Sequence, residues 1–147
     1  MRDRLARKGF DPDTVDDVMS RLDRAQLLDD EDFAAEWVRS RHTYSGRGRL
    51  ALRHELQAKG VAAQTIENAL DDIDTEDERA SAAALVARKL TPNAVRSAAG
   101  DRAERDKLCR RLIGMLARRG FAQPMAIDVV TAAVDDALAT AQETSAE

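Results

Sequence analysis

Apolar residues along this chain recur at helical intervals, and the stripes are punctuated by one phrase written three times: LARKGF at 5–10, LQAKGV at 56–61 and LARRGF at 116–121. Each phrase reads as a helix end. With Gly9, Gly60 and Gly120 as left-handed residues just past a helix, Leu5, Leu56 and Leu116 fall at the third-from-last helical position. Phe10, Val61 and Phe121 are then the residues that fold back onto those leucines, and the Lys or Arg before each glycine faces the negative end of the helix dipole.

A further helix follows each phrase. Residues 11–22 carry Val15, Val18, Met19 and Leu22 on one stripe, with Asp11 as N-cap and Pro12 in the first turn. Residues 61–73 repeat it as Ile66, Ala69, Leu70 and Ile73. The third copy reads Ile127, Val130, Thr131 and Val134 if its loop is one residue longer, which also sets Pro124 opposite Pro12. Before the phrases come helices bearing Leu52 and Leu56, and Leu108, Leu112 and Leu116 with Ile113 beside them. Earlier still, Phe33, Trp37 and Val38 share one face. Their counterpart opens with a capping box, Thr75-x-x-Glu78, and carries a stripe of Ala80, Ala83, Ala84, Ala87 and Leu90.

The fold class is therefore all-α: tandem three-helix repeats stacked into an elongated curved array. Residues 1–23 are the end of a first repeat that lacks its first helix, 28–73 a second repeat and 75–138 a third. Residues 91–100 form a long extended connector inside the third repeat, and 139–147 a mobile tail.

Composition fits helices, since three Phe, one Trp and one Tyr leave the core to Leu, Val, Ile and Ala. One cysteine, Cys109, makes no intramolecular disulfide. No signal peptide or apolar run of membrane-spanning length is present, so a reducing cytoplasm is the expected setting.

Charge adds the functional signal. The formal net charge of −4 hides segregation. Arg39, Arg41, Arg47, Arg49, Arg53 and Lys59 face one acid, Glu55, between 39 and 59, and a second run of seven basic residues against Glu104 and Asp106 spans 102–119. Residues 67–78 and 128–147 hold acids and no base. Arg49 and Arg53 are one turn apart, and Lys107, Arg111 and Arg118 share a stripe. Stacking would gather such stripes on one flank, able to meet phosphates or an acidic protein surface, although basic residues also serve as plain solvated faces.

The runs LLDDEDFAAEWVRSR (27–41), GRGRLALRHELQAKG (46–60) and KLCRRLIGMLARRGF (107–121) together resemble the RecX regulatory proteins of bacterial recombination. The match keeps order and spacing over nearly the whole chain; the beginning and the 91–100 segment depart from it. The resemblance implies a monomer that binds RecA and RecA–single-stranded DNA filaments, lodges in the filament groove, limits extension, and suppresses ATP hydrolysis and strand exchange, with at most a weak direct DNA contact. The filament-binding residues it implies, taken with the charge pattern, are Arg39, Arg41, Arg47, Arg49, Arg53, Lys107, Arg110, Arg111 and Arg118. Trp37 is expected in the core. The GRGR turn at 46–49 is a weak phosphate-nest signal whose glycines also serve a tight turn.

No cofactor, metal or catalysis is expected. Two histidines, His42 and His54, and one cysteine assemble no zinc set, and the acidic runs at 29–32 and 72–78 lack calcium-loop spacing. Cys109 lies on an apolar helical face as an inert thiol. Two other readings stand beside the regulator: a helix-turn-helix DNA-binding protein, disfavoured by acidic third helices, and a generic helical-repeat adaptor.

Overall fold

The structure, a computed structural model, describes residues 12–147, with side chains from residue 29 onward and at residues 17, 18, 21 and 24. The phrase containing Gly9, the Asp11 cap and the side-chain stripe of Val15, Met19 and Leu22 lie outside those residues. The described residues form α1 (Pro12–Ser45), α2 (Arg49–Ala58), α3 (Ala63–Leu70), α4 (Thr75–Lys89), α5 (Pro92–Gly100), α6 (Arg102–Arg118) and α7 (Gln123–Ala146), with no strand among them.

Both described glycine phrases end their helices as the spacing requires. Gly60 and Gly120 have φ of +80° and +95°. The Gly60 N–H donates to the Gln57 carbonyl at 3.0 Å and the Val61 N–H to Leu56 at 3.1 Å; Gly120 and Phe121 repeat this on Ala117 and Leu116, each at 3.1 Å. Leu56, Val61, Leu116 and Phe121 are all buried, so each cap is also an apolar clasp.

Two separate cores result. Ala34, Val38, Leu52, Leu56, Val61, Ile66, Ala69, Leu70 and Ile73 form one among α1, α2 and α3. A second, through Ala82, Val86, Leu108, Leu112, Leu116, Phe121, Val130 and Val134, lies among α4, α5, α6 and α7.

The segment expected as an extended connector, 91–100, is helix α5. The Thr91 hydroxyl accepts from the Ala94 N–H at 3.2 Å, Pro92 occupies the first turn, and Ala98 is buried. The third unit therefore has four helices. The two helices expected within 11–41 are one continuous α1, since no glycine or proline falls between Asp13 and Ser45, and Gly46 at φ +61° follows its last residue. The segment read as a tail continues α7 to Ala146.

Register also differs in the third unit. The loops after Gly60 and Gly120 have equal length, with α3 starting at Ala63 and α7 at Gln123. Ala126, Val129, Val130 and Val134 are buried, whereas Ile127 and Thr131 are exposed. Alanine stands where the second unit has Ile66, so the apolar weight is displaced onto a surface isoleucine. In α4 the buried face is Ala82 and Val86, not the stripe through Ala80, Ala83, Ala84 and Ala87, all of which are exposed. Alanines on every side leave the facing undetermined until a larger residue fixes it. The α4 cap is Asp74, accepting from the Glu76 N–H at 3.3 Å, and Glu78 is free for another use.

That use lies at the seam between the units. The Gly48 N–H donates to the Arg119 carbonyl at 2.8 Å and the Leu50 N–H to the Gly120 carbonyl at 3.0 Å, so the end of α6 satisfies donors that the start of α2 leaves open. The Arg119 guanidinium donates to the Ser45 carbonyl at 3.0 Å. A Cβ on Gly120 would stand 2.2 Å from the Ala51 Cβ, and one on Gly48 2.6 Å from the Gly120 carbonyl. From the other side, Arg49 donates to the Ile73 carbonyl, and its Nε lies 3.6 Å from buried Glu78 of α4.

Candidate interaction surface

The basic residues divide into two groups. Those of the second unit are largely engaged within the fold. Arg41 donates to Glu55 through Nη2 at 2.7 Å and Nε at 3.4 Å, and the Trp37 indole N–H donates to the same carboxylate at 2.9 Å. Hydrogen bonding by Arg41 holds the Glu55 carboxyl below the usual carboxylate range, against the opposing effect of its own desolvation, and Arg41 is raised in turn. Lys59 places its ammonium 4.4 Å from the Trp37 ring centre, with the Arg41 guanidinium at 5.6 Å. Trp37 is therefore a half-buried strut at the edge of the core and not a core residue.

Arg53 forks onto Glu67 of α3 at 2.8 and 3.2 Å, which raises the arginine and lowers the glutamate. Arg49 is taken up by the seam. Arg47 is half-buried, and His42 Nδ1 donates to its carbonyl at 2.9 Å. Arg39 is exposed and pairs with Glu36 one turn away at 2.8 Å. The backbone of the GRGR turn is spent as well: the Arg47 N–H donates to the Arg41 carbonyl at 3.3 Å, and Gly48 serves the seam. Those bonds occupy two of the amides that a phosphate nest there would use.

The basic residues of α6 are placed differently. Leu108, Leu112 and Leu116 turn one face of the helix into the core. At about 100° per residue, Lys107, Arg110, Arg111, Gly114 and Arg118 then share an arc of about 100° on the opposite side. All four cations are exposed, and none has an ion pair among the described residues. Arg118 reaches back toward Gly114, its Nη1 3.3 Å from where a Cβ would stand. Arg105, by contrast, is tied to Asp135 of α7. The nine expected residues thus form one open cationic face on α6 and a set of arginines in the second unit occupied mainly by intramolecular partners.

Sequence reasoning gave Arg119 and Lys59 only a place at the helix dipole and in the basic runs, and Glu78 only a capping role, and missed their part in the packing. The signal for the first two was the repeated phrase itself, in which a cation always precedes the glycine. Glu78 carried none, because a capping box explained it. Among the described residues no group of His, Cys, Asp or Glu is placed to hold a metal, and no helix is long and apolar enough to cross a membrane. Cys109 is half-buried and its thiol is pushed up by desolvation, away from the reactive thiolate.

Comparison with known proteins agrees with this architecture. The family model described as the second three-helix domain of RecX matches residues 29–70. A protein of Mycolicibacterium vanbaalenii named regulatory protein RecX is 49% identical over 131 residues, covering 87% of this chain and 69% of its own. One of the same name from Streptomyces lividans is 41% identical over 136 residues, covering 92% and 69%. The crystal structure of RecX from Lactobacillus salivarius superposes with a TM-score of 0.63 over 90% of this chain and 81% of that one, and at 17% identity it shares the fold. At 49% identity across most of its length, the chain belongs to the RecX family of regulatory proteins.

Proposed function

We propose that this chain regulates homologous recombination in the cytoplasm by binding RecA as a monomer, with the exposed face of α6 as its principal charged contact. Seated in the groove of a RecA–single-stranded DNA filament, it limits filament extension and with it ATP hydrolysis and strand exchange. Direct contact with DNA is secondary. The division into a partial unit at 1–23 and units at 28–73 and 75–138 belongs to the same proposal. Membership of the RecX family supports the partner, and the elongated array supports the mode of binding.

The observation that carries the reading is the set Lys107, Arg110, Arg111 and Arg118, none of which forms an ion pair among the described residues. Four exposed cations on one rigid helix, flanked by Glu104 and Asp106 but bridged to neither, supply a contact that successive protomers of a polymer can multiply. The test is RecA-dependent ATPase on single-stranded DNA with this protein in substoichiometric amount. Inhibition is expected, together with cosedimentation on the filament. An unchanged rate and unchanged filament length at micromolar protein reject the proposal.

A further inference from the structure

α6 carries an interior glycine that the fold does not use. Gly114 lies four residues before the last helical residue, Arg118, and unlike Gly46, Gly60 and Gly120 it has no left-handed backbone to accommodate. No neighbouring element approaches it. Among the described residues a Cβ there would meet only the Arg118 guanidinium, at 3.3 Å, which is the far end of a flexible side chain. Glycine is less favourable than alanine inside a helix, so the position lowers stability with nothing inside the protein to compensate.

The sister helix gives an independent comparison. Aligning the phrases at Gly60 and Gly120 sets Gly114 opposite His54 of α2, which is exposed. The same kind of helix therefore accepts a full side chain at that position. The neighbours of the two positions differ. Beside His54, Arg53 is bound to Glu67, whereas Gly114 lies at the centre of the arc holding Lys107, Arg110, Arg111 and Arg118, opposite buried Leu112 and Leu116. Lys107, Arg111, Gly114 and Arg118 follow at intervals of four, three and four residues, the spacing by which one helix packs on another. A nucleic-acid backbone needs no such notch, because long cationic side chains reach its phosphates well away from the helix surface. A rigid helix does use one, since a missing Cβ at the crossing point lets the two main chains approach more closely than the usual interaxial distance of about 8–10 Å.

We infer that Gly114 is the crossing point for an acidic helix of the protein partner, which lies against the α6 main chain there and sets carboxylates against Lys107, Arg110, Arg111 and Arg118. The inference rests on the function proposed above, in which this face meets RecA, and adds a steric determinant to the charged one. Glu104 and Asp106, exposed at the start of α6, repel an acidic helix displaced in that direction, so charge and notch select the same crossing.

Gly114→Ala and Gly114→Leu are compared with the parent chain by urea unfolding and by cosedimentation with RecA filaments on single-stranded DNA. Gly114→Ala should raise the urea midpoint and yet bind about threefold more weakly, a combination that a purely structural glycine does not give. Gly114→Leu should bind at least about tenfold more weakly. That loss is steric and should keep its ratio as salt rises, whereas the loss in Arg111→Gln should shrink. All these glycine variants should match the parent in binding a thymidine oligonucleotide alone. A parent chain that does not bind filaments rejects the function proposed above and the inference with it. A parent that binds, matched by Gly114→Leu, overturns the inference alone. So does a lowered urea midpoint in Gly114→Ala, which gives the glycine a use inside the fold, and so does an equal loss of affinity for the oligonucleotide, which makes the notch a phosphate contact.

Discussion

Glu55 organises the charge of the second unit at the residue scale, since one carboxylate takes the Trp37 indole and two donors of Arg41. Because those bonds lower its pKa in the folded state, the stability it contributes is complete above the ordinary glutamate pKa. It is lost as pH falls through that value toward the depressed one. Glu67, lowered by Arg53, acts in the same direction. The raised pKa values of Arg41 and Arg53 act oppositely, with a contribution lost only above the arginine range. Glu55→Gln should therefore lower neutral-pH stability by about 1–2 kcal/mol and flatten the acid limb of the stability profile. Urea midpoints measured from neutral to acid pH check both parts; an unaltered acid limb assigns that limb to other carboxylates.

At the scale of elements, the two glycine caps form an internal control. Gly60→Ala meets the left-handed backbone alone and should cost about 1–2 kcal/mol. Gly120→Ala meets that backbone and the Ala51 side chain together, and should cost about 3 kcal/mol or more. Chemical denaturation of the two variants reads the difference, and equal losses mean that the seam contributes nothing. The caps were legible because glycine, the leucine four residues before it and the apolar residue after it form a local code. What was not legible depended on partners distant in sequence. α5 was missed because an alanine-rich stretch after Thr91-Pro92 announces a helix start and little of a core. The facing of α4 was missed because alanine occupies every side, and the register of α7 because Ala126 stands where the second unit has Ile66. Of the candidate surface, the composition of the basic runs was readable. Whether each arginine was spent internally was not, since Glu67 and Glu78 lie in other helices.

At the scale of the molecule, two small cores are joined by a seam of backbone bonds, so the angle between units depends on a few glycines more than on buried area. Gly48→Ala places a methyl against the Gly120 backbone without touching either core. It should leave helicity intact, remove hydrogen-exchange protection at the Leu50 amide, and change the radius of gyration in small-angle scattering; retained protection means that the seam absorbs the methyl. Charge reversal at Arg49 and Arg53 would set new carboxylates against Glu78 and Glu67, so it disturbs the fold and any binding together. The α6 face carries no such entanglement. The most direct measurement is cosedimentation of the triple variant Lys107→Glu, Arg111→Glu, Arg118→Glu with RecA filaments on single-stranded DNA at low salt, beside the parent chain. The variant should keep the parent's helicity and bind at least about tenfold more weakly, with the difference shrinking as salt rises. Equal binding by the two proteins at low salt contradicts the account.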